Sequence, residues 1–75
     1  MDKSAFLEEL ANILDEESVE ETANLRDFQS WDSLAILSIV SLATSKFGFI
    51  LSFPQVRGLT TVADLWAHFE KNRTK

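Results

Sequence analysis

The sequence predicts an all-α fold in which three longer helices and one short third helix form a single four-helix bundle over residues 1–75. Apolar residues recur at helical spacing near both ends of the chain. The central segment 34–47 is apolar on more than one face, which is typical of a helix that neighbours cover on several sides. The apolar cluster 49–53 could also form a strand, but a lone strand would leave backbone hydrogen-bonding groups unpaired.

The first helix is predicted to begin with Ser4 as its N-cap and to run to about Asp15. Residues 15–24 are mostly charged or polar, so they predict a long surface connection. Leu25 and Phe28 are its apolar anchors. We expect these two side chains to hold the connection against the bundle just before the central helix.

The central helix is predicted to run from Ser33 to about Phe47. Its N-cap is Asp32 or Ser33, because a short side-chain oxygen can accept a hydrogen bond from a first-turn N–H group. Gly48 suits a left-handed C-terminal cap. Trp31 precedes the helix, and a tryptophan there packs more often than it binds a ligand. Serines at three- and four-residue spacing predict the solvent-facing stripe: Ser38, Ser41 and Ser45.

The short third helix is predicted over residues 54–57, ended by Gly58. The last helix begins at Thr61, because Thr61 and Asp64 have the spacing of a capping box. Its apolar face is formed by Val62, Leu65, Trp66 and Phe69. The lone histidine, His68, lies beside this face, at the surface or its boundary. The last cations are expected to complement the helix dipole and then fray: Lys71, Arg73 and Lys75.

The net charge of −5 is unevenly distributed along the chain. Residues 1–33 hold ten acids and two bases, whereas residues 34–75 hold two acids and five bases. The acidic half repels phosphate backbones, so the sequence disfavours nucleic acid as a partner. No apolar run is long enough to span a bilayer, and the N-terminus lacks the regions of a signal peptide, so we expect a cytoplasmic location.

Few residues could carry catalysis or bind a metal. The chain has no cysteine, and its one histidine has no obvious acidic residue to orient it. This composition excludes thiolate and His-cluster metal sites and disfavours a serine hydrolase. The two glycines are too far apart for a phosphate-binding loop. We therefore expect a non-catalytic binding or carrier module without a metal.

Three motifs occur in register with the predicted helices. The central helix opens with Asp32-Ser33-Leu34 and closes with Lys46-Phe47-Gly48-Phe49, and the last helix opens with Thr61-Val62-Ala63-Asp64. In this order and at this length, the chain resembles the acyl carrier proteins, whose signature is Asp-Ser-Leu at the start of the second helix. Asp-Ser alone would be only a helix cap, so the three motifs together carry the resemblance.

The resemblance implies that Ser33 is the attachment point for 4′-phosphopantetheine, transferred from coenzyme A by a phosphopantetheinyl transferase. It also implies that Asp32 helps to hold the transferase's magnesium, and that partner enzymes grip Leu34. The thiol at the end of the attached phosphopantetheine arm would carry an acyl group as a thioester between acyl-loading and acyl-transfer or synthase enzymes. The carrier is expected to be a monomer. The position suits a phosphate, because a helix N-terminus offers free N–H groups and a positive dipole end.

In this family an acyl chain can slide between the helices. Eight residues are candidates to line such a pocket here: Phe28, Ile36, Leu37, Val40, Phe49, Ile50, Leu59 and Trp66. For each of them taken singly, ordinary core packing is at least as good an interpretation.

One departure from the family pattern concerns charge. Fatty-acid carriers usually have acids along the second helix, whereas this chain has no carboxylate between Asp32 and Asp64. Charges at an interface rim set on-rate and partner choice, and Trp31 stands where the family commonly has glycine. We therefore expect a specialised biosynthetic carrier and not the housekeeping fatty-acid carrier.

Two alternatives belong to other classes of protein. In the first, the chain is an unmodified helical protein-interaction domain, and Asp32 and Ser33 only cap a helix. In the second, it is a DNA-binding helical domain, which its charge disfavours. Attachment of a phosphopantetheine group to Ser33 distinguishes the carrier from both.

Overall fold

The computed structural model describes residues 1–75 and contains four α-helices and no β-strand. The helices are Lys3–Ile13 (α1), Ser33–Leu42 (α2), Phe53–Arg57 (α3) and Val62–Asn72 (α4). The predicted all-α bundle, with three longer helices and a short third one, is therefore confirmed. A 3₁₀ turn, Leu25–Asp27, lies between α1 and α2. None of the helices combines the length and the apolar character needed to cross a membrane.

The N-cap of α1 is Asp2, so the prediction of Ser4 is wrong. The Asp2 carboxylate accepts a hydrogen bond from the Ala5 N–H group at 2.8 Å, and Ser4 is already inside the helix. Both residue types are good N-caps. Capping by Asp2 lengthens the helix by Lys3 and Ser4, and each residue added to a formed helix is favourable once its first turn exists.

α1 ends in a Schellman turn, which the sequence did not reveal. Asp15 adopts the left-handed conformation with φ 57. The Glu16 N–H group donates to the Ala11 carbonyl at 2.8 Å, and the Asp15 N–H group donates to the Asn12 carbonyl at 3.3 Å. These bonds satisfy carbonyls that the end of a helix leaves unpaired. Glycine is the usual residue at this position, and here aspartate takes its place.

The polar connection 15–24 lies at the surface, as predicted, with one buried residue, Val19. Its second half pairs with the segment that leads into α4. The Val62 N–H group donates to the Ala23 carbonyl at 3.0 Å, and the Leu25 N–H group donates to the Thr60 carbonyl at 2.8 Å. Leu25 is fully buried, which confirms it as an anchor. The approach to α2 is thereby held against the start of α4.

The second helix continues beyond Leu42 as a π-helical turn, Ala43–Phe47. The predicted end at Phe47 is therefore confirmed, although the wider hydrogen-bond pattern of its last turn was not predicted. Gly48 follows with φ 73, which confirms the left-handed cap, and its N–H group donates to the Ala43 carbonyl.

Both helices of the second half begin with a capping box. The Thr61 hydroxyl accepts from the Asp64 N–H group, and the Asp64 carboxylate accepts from the Thr61 N–H group, each at 3.1 Å, as predicted. Ser52 and Gln55 form the second box, so α3 begins one residue earlier than predicted. Gly58 ends α3 with φ −79, an ordinary right-handed conformation.

The core consists of 17 buried residues, all of them apolar. Its aromatic part joins α1, the π-helical turn and α4. The Phe6 ring centroid lies 4.9 Å from that of Phe69 and 5.0 Å from that of Trp66, and the Phe47 and Phe69 centroids are 4.8 Å apart. Ring pairs at these separations stabilise a fold beyond the burial of their area. They confirm the predicted apolar face of the last helix.

The C-terminal tail leaves the last helix after Asn72 and is hydrogen-bonded to the end of the second helix, a contact that the sequence did not predict. The Thr74 N–H group donates to the Phe47 carbonyl at 2.8 Å, and the Thr74 hydroxyl donates to the Gly48 carbonyl at 2.7 Å. The Arg73 guanidinium carbon lies 4.7 Å from the centre of the Phe47 ring, and its Nη1 donates to the Met1 carbonyl at 2.8 Å. Carbonyl groups at the end of a helix have no partner within that helix. The tail donates hydrogen bonds to two such carbonyls at the end of the second helix.

Candidate functional site

Asp32 organises the start of α2. Of the two predicted caps, the structure selects Asp32, which has extended backbone angles of φ −140 and ψ −174. Its Oδ1 accepts from the Ala35 N–H group at 3.0 Å, and its carbonyl accepts from the Ile36 N–H group at 3.0 Å. Its Oδ2 forms no hydrogen bond within the chain. One carboxylate oxygen therefore holds the helix, and the other remains free for a cation or a partner.

Ser33 is the first residue of α2, and its side chain is exposed. The Asp32 oxygens accept from Ala35 and Ile36, so the N–H groups of Ser33 and Leu34 keep no acceptor in the chain. These donors lie at the positive end of the helix dipole. An ester of phosphate on the Ser33 hydroxyl would have its negative charge next to them.

A small apolar patch extends from Ser33 along α2. Leu34 is 74% exposed and Leu37 is 52% exposed. The two side chains are one turn apart and therefore lie on the same side of the helix. Most large apolar side chains of this protein are at least partly covered, so the pair is a candidate contact surface.

A groove of about 480 Å³ lies between α1 and α2, open to solvent. Leu37 borders it, and the rest of the wall formed by α2 and the π-helical turn is mainly the predicted serine stripe: Ser38, Ser41 and Ser45. All three serines are exposed, which confirms that prediction. The solvent face of the second helix therefore has leucine near Ser33, hydroxyl groups further on, and no charge before Lys46.

A cleft of about 310 Å³ lies against the start of α2 and is lined by Arg26, Trp31, Ile36 and Arg57. Trp31 precedes the N-cap and Ile36 is the fourth helical residue, which are the two positions of a hydrophobic staple. Trp31 packs against the core and Ile36 is buried, so the packing role predicted for Trp31 is confirmed. The exposed part of Trp31 also forms a wall of this cleft.

Arg26 and Arg57 form the charged side of the cleft, and the sequence analysis missed both. Arg26 donates to the carbonyls of Arg57 and Leu59. These bonds tie the 3₁₀ turn before α2 to the end of α3. The two arginines are 31 positions apart in the sequence. Only the fold brings them together. The one feature of the sequence that could have indicated them is that they are cations in an acidic chain.

The eight residues predicted to line an acyl pocket do not surround a common cavity. Leu37 is 52% and Ile50 is 89% exposed, so neither side chain is buried between the helices, and their contact with an acyl chain stays a prediction. The inward face of α2 is formed by Ala35, Ile36, Ile39 and Leu42, which leaves Leu37 outside it. In the connection after Gly48, Leu51 is buried and Ile50 faces solvent.

Of the other six candidates, Ile36 is buried, and five are half-buried and pack against the core: Phe28, Val40, Phe49, Leu59 and Trp66. Trp66 belongs to the aromatic part of the core. The three clefts of the surface are open to solvent, and none lies inside the core. For these six residues, contact with an acyl chain stays a prediction.

The lone histidine lies away from any catalytic arrangement. His68 is half-buried on α4, as predicted for a boundary residue, and its ring centroid is 6.1 Å from that of Phe49. No group of three or more histidine, aspartate or glutamate side chains is placed to hold a metal ion.

Comparison of the chain with protein-family models, with curated proteins and with solved structures found no match. The start of α2, the leucine patch and the arginine cleft are therefore the features from which a function can be argued.

Proposed function

We propose that this protein is an acyl carrier protein, modified with 4′-phosphopantetheine on Ser33. The observation that carries the proposal is the geometry at the start of α2, where an exposed Ser33 hydroxyl follows the Asp32 cap and precedes the exposed Leu34. The all-α bundle and the order of the three sequence motifs support it. In this proposal the chain is non-catalytic and presents its cargo to partner enzymes in the cytoplasm.

The residues at this helix start fit a phosphodiester. The Ser33 hydroxyl would form a new O–P bond to the β-phosphorus of coenzyme A, with adenosine 3′,5′-bisphosphate leaving and the hydroxyl proton passing to the transferase. The free N–H groups of Ser33 and Leu34 favour the negative charge of the product. Asp32 keeps the helix start formed through Oδ1 and offers Oδ2 to the magnesium of the transferase. The attached group supplies a thiol that holds an acyl group as a thioester.

Intact-mass spectrometry tests the proposal after incubation with coenzyme A, magnesium and a broad-specificity phosphopantetheinyl transferase. We expect the wild type to gain the mass of one phosphopantetheine group and Ser33→Ala to gain none. Ser41→Ala is the matched control, because Ser41 is an exposed serine of the same helix. It is expected to be modified like the wild type. No gain on the wild type, or an equal gain on Ser33→Ala, would refute the carrier assignment.

The proposed carrier is a specialised one with its own enzymes. This part of the proposal is supported by the exposed face of α2, which offers leucine and serine side chains in place of carboxylates. Long-range attraction to a basic docking patch would therefore be weak on this face. A general fatty-acid ketosynthase is expected to use the acylated protein poorly, and turnover equal to that of a housekeeping carrier would contradict the specialisation.

The second candidate function is an unmodified helical interaction domain. The exposed pair Leu34 and Leu37 favours it, because an apolar patch can bind a partner without any attached group. In that case Asp32 and Ser33 would serve only the helix start. The mass experiment separates the two functions, since the interaction domain gains no mass.

A further inference from the structure

The cleft at the start of α2 combines the unpaired positive charge of Arg26 and Arg57 with apolar walls formed by Trp31 and Ile36. Arg26 is held in place by donating to the Arg57 carbonyl and, at 3.3 Å, to the Leu59 carbonyl. A guanidinium has five N–H donors, so several remain after these two bonds. The only ion pairs of the structure are Lys3–Glu21 and Arg73–Glu70, so neither cleft arginine has a carboxylate partner.

Neither arginine is neutralised within the protein, although the net charge is −5 and twelve carboxylates are present. Both arginines line one cleft without a carboxylate partner, so an anion bound there would supply the opposite charge that they lack. The forked geometry of guanidinium matches the oxygens of phosphate and carboxylate. The arginine side of the cleft is therefore suited to a small oxyanion.

The position of the cleft indicates which oxyanion it takes. Ile36 lies three residues after Ser33 on the same helix, so their Cβ atoms are about 5–6 Å apart. Trp31 lies two residues before Ser33, so both apolar walls of the cleft flank the attachment serine. We propose that the cleft is a phosphate subsite, in which Arg26 and Arg57 bind the phosphodiester of the group on Ser33. Trp31 and Ile36 pack against the first carbon atoms beyond that phosphate. The inference rests on the proposed function, which supplies the phosphodiester.

The arginines and the helix start have complementary roles in this arrangement. The first-turn N–H groups face the ester from the helix side. The guanidinium groups contact the phosphate from α3 and from the 3₁₀ turn. The base of the arm is thereby held at one place, while its distal thiol remains free to reach partner enzymes.

NMR of the ¹⁵N-labelled, unmodified protein tests the subsite, with 4′-phosphopantetheine and pantetheine as a pair of ligands that differ only in the phosphate. The indole N–H signal of Trp31 reports on the cleft, and that of Trp66, in the aromatic part of the core, is an internal control. We expect 4′-phosphopantetheine to shift the Trp31 signal saturably and pantetheine to shift it far less. The Trp66 signal is expected to stay in place.

Arg57→Gln is the variant that tests the arginine side. The Arg57 guanidinium forms no hydrogen bond within the protein, and the backbone carbonyl that accepts from Arg26 is retained. We expect this variant to bind 4′-phosphopantetheine about tenfold more weakly. Lys46→Gln is the matched control, because it removes one exposed cation outside the cleft, and it is expected to bind like the wild type.

In the modified protein, the attached phosphodiester should already occupy the cleft. The Trp31 signal is then expected near its ligand-bound position and should no longer respond to added 4′-phosphopantetheine. An equal response to pantetheine, an equal loss in Lys46→Gln, or a full response in the modified protein would overturn the subsite. If the wild type gains the expected mass but Trp31 never responds, the subsite fails and the carrier function stands. If no mass is gained, the carrier function itself fails.

Discussion

At the scale of single residues, Asp32 caps α2 and, in the proposed carrier, would also hold the transferase's magnesium, and one pair of substitutions can separate these two roles. Asparagine keeps a short acceptor for the cap and removes the charge, whereas alanine removes both. We expect Asp32→Asn to leave the free energy of unfolding nearly unchanged but to slow modification by the transferase about tenfold or more, since a magnesium contact is lost. We expect Asp32→Ala to slow it as much and also to lower the free energy of unfolding by about 1 kcal/mol. Chemical denaturation and timed intact-mass measurements check the two effects.

A second carboxylate provides the control for this pair. Asp27 is exposed and lies in the same acidic part of the chain, but it caps no helix. Asp27→Asn is expected to be modified at the wild-type rate. If Asp27→Asn and Asp32→Asn were modified equally slowly, the lower rate would result from the change in overall charge, and Asp32 would only cap the helix.

Single residues could be predicted from the sequence where one short-range interaction decides their role. Thr61 and Asp64 cap each other three positions apart, and no competing pair lies nearby. Asp2 and Ser4 compete to cap α1, and the sequence contains no reason to prefer one of them. The exposure of Leu37 depends on which neighbours cover α2, which is a property of the assembled bundle.

At the scale of helices, two glycines end elements of the fold, but only one of them needs to be glycine. Gly48 has φ 73, and a Cβ atom there would collide with the Thr74 hydroxyl. Gly58 is right-handed, and a Cβ atom there would meet the Pro54 carbonyl at 3.5 Å, an ordinary contact. We expect Gly48→Ala to lower the free energy of unfolding by about 1–2 kcal/mol. Gly58→Ala is expected to be neutral or slightly stabilising, because it restricts the unfolded chain.

Thermal unfolding followed by circular dichroism measures the two glycine variants side by side. For a chain of this size, each 1 kcal/mol corresponds to about 4–8 °C in Tm. A fall in Tm for Gly48→Ala with none for Gly58→Ala is the expected result. The same fall in both variants would mean that the left-handed turn at Gly48 is not what the substitution disturbs.

The helices themselves were predictable, because apolar spacing and capping residues are local in the sequence. Their ends were less so. The Schellman turn at Asp15 has aspartate where glycine is usual, and the π-helical turn Ala43–Phe47 has no distinct residue pattern, so neither was predicted. The C-terminal tail that contacts Phe47 and Gly48 lies far from them in the sequence, so no local sequence pattern predicts this contact.

At the scale of the whole molecule, negative charge is concentrated in residues 1–33, and the solvent face of the second helix carries none. If that absence sets partner choice, carboxylates placed on the face should change it. We expect the double variant Ser38→Glu with Ser45→Glu to raise kcat/KM of a general fatty-acid ketosynthase for the acylated protein about tenfold at low salt, through a faster association. Steady-state kinetics at two salt concentrations measure this.

Ser38→Gln with Ser45→Gln is the control for that variant, because it adds similar bulk without charge. The gain is expected only in the glutamate variant and should shrink at high salt, since exposed charges are screened. A glutamate variant no better than the glutamine variant would show that charge on this face does not govern partner choice.

The candidate site was predictable in part, for a reason that applies to the molecule as a whole. Asp32, Ser33 and Leu34 are consecutive, so the sequence alone groups them as one candidate site. The cleft beside them is assembled from the 3₁₀ turn, α2 and α3, and its two arginines come together only after the chain has folded. Which side of an apolar side chain the fold covers is likewise decided only by the assembled bundle. Hydrophobic character alone therefore also selected Leu37 and Ile50 as pocket candidates, although both are exposed.

The Arg73 side chain bridges the two ends of the chain, because its Nη1 donates to the Met1 carbonyl at 2.8 Å. The two ends therefore lie within reach of one arginine side chain. A circular permutant could join Lys75 to Met1 through a short glycine-rich linker and open near Glu17, an exposed residue of the polar connection. Such a chain would keep every helix intact and would make the helix that begins at Ser33 its first.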